Sequence, residues 1–243
     1  MKKILLITDM HIADKPINGI DTKSAFNNVL KHASTDTQAD VIILCGDLAQ
    51  DGLETDYEFM CEQLNQYFPD TPVYAIAGNH DNQGNLKRVL NGQQSITYLD
   101  NGSIETESHQ FIFLNSNITN YTEGYISENT LTWLQSLLKV TIKPVYIFTH
   151  HHTIPINLKI DDYIIKNRAD FLNTLTPYAS KIDAVICGHT HSHTSNIENG
   201  IKFITLPSAS MQYNSTIKFE PENKQMYSML DVSSGKCQMI EAN

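Results

Sequence analysis

The chain has 243 residues, a length that one α/β domain can fill, and residues 1–243 are read as a single domain. Hydrophobic residues make up 41%, enough for an ordinary buried core. A net charge of −10, with 17 Lys plus Arg and no basic cluster, argues against a long nucleic acid as substrate but leaves room for a small nucleotide.

The opening apolar stretch runs only about four residues before Asp9, too short for the core of a signal peptide. No later run approaches the roughly 20 apolar residues of a spanning helix. Four cysteines without a CxxC pair read as reduced, buried thiols. The expectation is a cytoplasmic protein without membrane contact, and no feature specifies an oligomeric state.

In chain order, residues 3–8 form a short apolar run that reads as a buried strand and ends at Asp9-Met10-His11. In extended backbone, residues two apart point the same way, so both side chains could face one metal. An exposed polar turn explains the same triplet when it is taken alone. Thr22 then caps a predicted helix with Ala25, Phe26, Val29, Leu30 and Ala33 on one face. Residues 40–45 read as a second strand, followed by Gly46-Asp47, where glycine allows a sharp turn and presents a carboxylate able to bridge two cations. A turn cap is an equal reading of Asp47 in isolation.

Thr55 and Glu58 have capping-box spacing ahead of Met60, Cys61 and Leu64. The strand at 73–77 leads into Gly78-Asn79-His80-Asp81, in which Gly-Asn is ordinary turn chemistry but the His-Asp pair is not needed for a turn. Residues 110–115 read as a strand, and Ser127 opens a helical stripe of Leu131, Leu134, Leu137 and Leu138. The strand Val145–Thr149 ends at His150-His151-His152, three histidines that should not all be satisfied core residues. A helix over 168–178 and a strand over 183–187 lead to Gly188-His189-Thr190-His191. After Gly188 the runs 201–206, 226–232 and 237–240 are strand-like.

The pattern predicts an α/β fold, two packed β-sheets in a sandwich flanked by helices. Each polar cluster follows an apolar strand, where such folds assemble their sites. Jointly the clusters offer oxygen and imidazole donors, a set that suits Mn, Fe or Zn. Cys45 and Cys187 read as small core residues.

In this order, Asp-x-His, Gly-Asp, Gly-Asn-His-Asp, His and Gly-His-x-His resemble the motifs of the calcineurin-like metallophosphoesterases, across residues 9–191. The resemblance implies a four-layer αββα sandwich and two divalent metal ions. One would be held by Asp9, His11, Asp47 and His191, the other by Asp47, Asn79, His150 and His189. Only the first histidine of the triplet matches a ligand position, and Thr153 stands where relatives commonly carry proline. Segments 19–24, 46–51, 150–155 and 206–213 are further similar to class III cyclic-nucleotide phosphodiesterases.

The implied reaction is hydrolysis of a small phosphodiester, 3′,5′-cyclic AMP to 5′-AMP, by attack of a metal-bridging hydroxide. His80 would contact a phosphate oxygen or protonate the leaving alcohol, with Asp81 orienting its imidazole. Asn79, His151, Asn167 and Tyr213 are the other candidate substrate contacts. The alternatives are a glycerophosphodiesterase or other phosphodi- or monoesterase on the same site, and an inactive binding scaffold of the same fold.

Overall fold

Strand β1 (Lys3–Ile7) is apolar on both faces, and the alternation of its side chains divides the interior into two cores. Leu5 and Ile7 pack toward helices, while Ile4 and Leu6 pack toward a second sheet. The computed structural model describes residues 2–213 and 218–242. Its elements after β1 are α1 (Thr22–Asp36), β2 (Val41–Cys45), α2 (Glu54–Tyr67), β3 (Val73–Ile76), α3 (Gln83–Leu90) and β4 (Ile96–Tyr98). Next come β5 (Gly102–Glu105), β6 (Gln110–Phe113), α4 (Glu128–Val140), β7 (Val145–Thr149), α5 (Arg168–Leu175) and β8 (Ile182–Cys187). The chain ends with β9 (Thr194–Glu198), β10 (Ile201–Thr205), β11 (Gln212–Tyr213), β12 (Pro221–Glu222), β13 (Met226–Asp231) and β14 (Lys236–Glu241).

Two six-stranded mixed sheets result, ordered β14-β13-β1-β2-β3-β4 and β5-β6-β7-β8-β10-β9. Within the first, β1 to β4 run parallel, and within the second β6, β7, β8 and β10 do. Phe26, Val29 and Leu30 of α1 and Tyr57, Met60 and Leu64 of α2 cover the first sheet. Between the sheets lie Val41, Ile43, Phe113, Tyr146, Phe148 and Ile186. Leu134 and Leu138 of α4 and Phe171 and Leu175 of α5 cover the second sheet. This is the four-layer sandwich expected. Among the described residues no helix is long and apolar enough to cross a membrane.

The helix starts need two corrections. Asp21, not Thr22, caps α1: its carboxylate accepts from Ser24 N, while the Thr22 side chain is buried. The expected capping box on α2 does not form, because the helix starts at Glu54 and its cap residue Leu53 offers no side-chain acceptor. Ser127 does cap α4, accepting from Thr130 N at 3.1 Å. Unforeseen from the sequence are α3, β4, β5, β9, β11 and β12, which lack a long apolar stripe; Asn82, capping α3 through Gly84 N and Asn85 N, is the available signal for that helix.

Leu134 is fully buried and Leu137 only partly so. Leu134→Ala is therefore expected to destabilise the protein by about 2–5 kcal/mol. Leu137→Ala should cost less, the two being compared as shifts of the urea midpoint at constant slope.

Candidate metal centre

The C-terminal ends of five parallel strands meet over the seam between the sheets. The loop after β1 brings Asp9 and His11, that after β2 brings Asp47, and that after β3 brings Asn79 and His80. From the second sheet, the loop after β7 brings His150 and that after β8 brings His189 and His191. Asp9, His11, Asp47, His189 and His191 all hold left-handed backbone, with φ between 47° and 69°. The other non-glycine residues in that region, among those described, are all asparagines. The conformation costs an ordinary L-residue about 1–2 kcal/mol. It also corrects the reason given for the Asp-x-His spacing: Asp9 and His11 reach one cluster because the chain coils there, not because it stays extended.

Two glycines permit the crowding. Gly46 has φ +91°, and a Cβ on it would strike the His150 ring; a Cβ on Gly188 would strike Thr8 and Asp9. Backbone bonds then stitch the loops together, Asp9 N donating to Gly46 O and His11 N to Asp47 O, both at 3.0 Å. From the far end of the chain, the hydroxyls of Ser208 and Ser210 each donate to Asp9 O at 2.8 Å.

His11 Nε2 lies 3.0 Å from His191 Nε2, which in turn is 3.5 Å from Asp9 Oδ1. Asp47 Oδ2 lies 3.7 Å from His11 Nε2 and 3.3 Å from His150 Nε2, so this carboxylate stands between two imidazole groups. Asn79 Oδ1 is 3.2 Å from His150 Nε2. Asp9, Asp47 and His150 form a further buried group of donors, as do His150, His151 and His189.

The donors fit cations. His11 Nδ1 faces Gln50 Oε1 at 2.9 Å and His191 Nδ1 faces Met211 O at 2.8 Å. Both partners are acceptors, so each Nδ1 carries the proton and each Nε2 a lone pair. Those lone pairs confront each other, and a proton is a poor remedy: burial pulls His11 down to about 4 and His191 well below its usual value. His189 Nε2 is buried with no hydrogen-bond partner among the described residues. Burial pushes Asp9 up to about 7, a rise that Asp47 reinforces and His150 opposes. Burial also works to discharge His150, but the carboxylates of Asp47 and Asp9 and a bond to Cys45 O raise it to about 9. A cation entering this cluster therefore displaces protons rather than filling a neutral cavity.

Several candidate residues are placed differently from expectation. Asp81 does not touch the His80 imidazole. Its buried carboxylate accepts from Leu48 N, Ala49 N, Gly78 N and the Tyr57 hydroxyl, tying the β2 and β3 loops together. His80 is instead oriented by Gln50, whose carbonyl oxygen lies 3.0 Å from His80 Nδ1, while His80 N donates to Asp47 Oδ1 at 2.9 Å. Asn167 does not line the cavity over the cluster; its amide is paired in both directions with the backbone of Ile126. His151 is fully buried behind the cluster, with Nδ1 against Ser116 Oγ and Nε2 against Thr122 O. All three histidines of the triplet are in fact buried; His152 is held by Asp161 at 3.0 Å. Cys45 and Cys187 are buried free thiols, as read from the strands.

A cavity of about 400 Å³ opens over the cluster, with His11, Asp47, Asn79, His80, His189 and His191 in its floor. Tyr213 lines it, stacked on His191 with ring centres 4.6 Å apart. Tyr163 and Phe219, which the sequence reading did not single out, complete an aromatic wall; Phe219 meets Tyr213 edge-on at 5.4 Å. Gln50 was missed as well. Its segment was noted, but no spacing rule reveals a side chain that reaches back to His11 across two paired loops.

The sequence profile of the calcineurin-like phosphoesterases matches residues 2–193. The chain belongs to that family. This phosphoesterase is 28% identical over 217 residues to a 3′,5′-cyclic adenosine monophosphate phosphodiesterase of Haemophilus influenzae, covering 87% of this chain and 77% of that one. It is 29% identical over 219 residues to a probable glycerophosphodiester phosphodiesterase of Arcobacter nitrofigilis, covering 86% and 79% of the two chains. In fold it is similar to a purple acid phosphatase of Lupinus luteus, with a TM-score of 0.73 at 12% identity, over 99% of this chain and 51% of that one. Family and buried donor clusters together make the protein a metal-dependent phosphoesterase with a site suited to two metal ions.

Gln50→Met keeps the size of the side chain and removes the acceptor that fixes the His11 tautomer. Metal affinity of the phosphoesterase, titrated calorimetrically, is expected to fall about 10–100-fold, and Gln50→Glu to restore most of it.

Proposed function

We propose that the protein is a phosphodiesterase that hydrolyses a 3′,5′-cyclic nucleotide, cyclic AMP to 5′-AMP, in the cytoplasm. The observation that carries this reading is the aromatic wall. Tyr163, Tyr213 and Phe219, with Met211, Ile17 and Ile160, line the same cavity as His80 and Asn79. A planar base has apolar faces to stack there while its phosphate reaches the donor cluster. A glycerol arm would gain little from such a wall. The relative of Haemophilus influenzae supports the same substrate, and four free cysteines suit a reducing compartment.

In this reading one cation would be held by Asp9, His11, Asp47 and His191 and the other by Asp47, Asn79, His150 and His189. The oxygen and imidazole donors suit Mn, Fe or Zn. Divalent cations supply Lewis-acid polarisation of phosphoryl oxygens and ease the loss of a proton from water. The chain does the rest. Bonds from Gln50, Met211 and Cys45 hold three imidazoles with Nε2 toward the centre. The peptide N–H of His80 fixes Asp47, and the bond from His80 Nδ1 to Gln50 O leaves Nε2 as the free ring nitrogen. In the imidazolium form, with a second proton on Nε2, that nitrogen donates to a phosphoryl oxygen or delivers the proton to the departing alcohol.

Two measurements test the proposal. Release of 5′-AMP from cyclic AMP by the Mn-loaded protein is expected to exceed hydrolysis of glycerophosphodiesters; turnover of cyclic AMP at background level would overturn the substrate. His80→Ala is expected to lower kcat by about 100-fold with metal content unchanged, and an undiminished kcat removes His80 from the reaction.

A further inference from the structure

A second cavity, of about 350 Å³, adjoins the first, and Asn79 and His80 border both. Its chemistry is the opposite of the aromatic lobe. The side chains around it beyond His80 are Asn82, Gln83, Asn117, Thr119 and Asn120, with the carboxylate of Asp81 already consumed inside the protein. Among the described residues, no lysine, arginine or aromatic ring other than the shared His80 imidazole lines it.

The amide groups are half used, and the unused halves are what the lobe offers. Asn82 Oδ1 accepts from Gly84 N and Asn85 N, leaving Nδ2 without a partner among the described residues. Gln83 Oε1 accepts from Asn115 Nδ2, leaving Nε2. Asn117 Nδ2 donates to Gly78 O at 2.6 Å, leaving Oδ1. Donors and an acceptor therefore stand side by side, together with the Thr119 hydroxyl. Groups that both donate and accept, namely hydroxyls, match such a mixture. A second phosphate would meet no cation there and would face Asn117 Oδ1, and a base would find no wall to stack on.

We infer that this amide lobe is a subsite for the hydroxyl-rich alcohol of a phosphodiester whose other, aromatic alcohol lies on the Tyr163–Tyr213–Phe219 wall. The chain would then act on linear diesters with one base-like arm and one sugar or polyol arm, besides a cyclic nucleotide. In the reaction, the oxygen of water bonds to phosphorus and one P–O ester bond breaks. The departing alcohol oxygen takes up a proton, and a phosphate monoester and an alcohol result. The inference rests on the phosphodiester reading of the centre, but not on cyclic AMP being a substrate.

The test compares two chromogenic diesters with one leaving group, the 4-nitrophenyl diesters of glycerol and of methanol, on the Mn-loaded full chain. The glycerol diester is expected to be preferred about tenfold in kcat/KM, the yield of one or two hydrogen bonds. Asn82→Ser, which retains a capping hydroxyl for α3, and Thr119→Val, which retains shape, should each cut that ratio about threefold or more. A ratio near one, or a ratio the variants leave alone, overturns the subsite. Cyclic AMP is assayed on the same preparations: its failure with the preference intact removes only the nucleotide reading, and the reverse outcome removes only the subsite. Should neither diester turn over, calorimetric binding of glycerol 3-phosphate against methyl phosphate decides, equal affinities overturning the inference.

Discussion

The structure depends on forcing like-natured, electron-rich groups together over the seam of two sheets. Five Asp and His residues accept left-handed backbone, and two buried carboxylates and several imidazole lone pairs converge within a few ångströms. Each feature is unfavourable by itself, by about 1–2 kcal/mol for the backbone strain at a residue. They persist because the surrounding bonds over-determine them. Asp81 ties two loops, the serine hydroxyls clamp a third, and three core layers keep the strand ends from spreading. The natural relief for such a cluster is positive charge, which explains how a protein of net charge −10 can attract an anionic ester at one place.

The sandwich was legible because apolar runs bounded by polar clusters leave few architectures open, and β1, β2, β7 and β8 are nearly uninterrupted in apolar residues. The convergence of Asp9, His11, Asp47, His150, His189 and His191 followed from their shared place at strand ends. What the sequence hid were contacts made across space by unremarkable residues. Gln50 reaches His11 through its side chain and His80 through its carbonyl; Asn167 spends its amide on Ile126. Asp81 looked like a partner for its neighbour His80, but adjacent side chains on a tight turn diverge, and the carboxylate turned inward to four donors. Partnerships of this kind depend on loop packing that periodicity does not encode.

The histidine triplet carries the same lesson at smaller scale. One residue faces the donor cluster, and the next two brace it from behind through Ser116, Thr122 and Asp161. Their burial is tolerable because five of their six ring nitrogens have partners. A run of three identical residues is thus divided, one facing the donor cluster and two bracing it.

The position of β13 has a consequence for the protein's birth. This strand pairs with β1, Lys3 opposite Asp231, and residues 208 and 210 hold the carbonyl of Asp9. On the ribosome, β1 therefore waits with one edge open until β13, far along the chain, has been made. Until then its apolar edge is a hazard for self-association, and Asp9 lacks the support that aims it. The aim of Asp9 is accordingly completed only with residues 208 and 210, and a chain that stalls before β13 would keep an edge open to self-association.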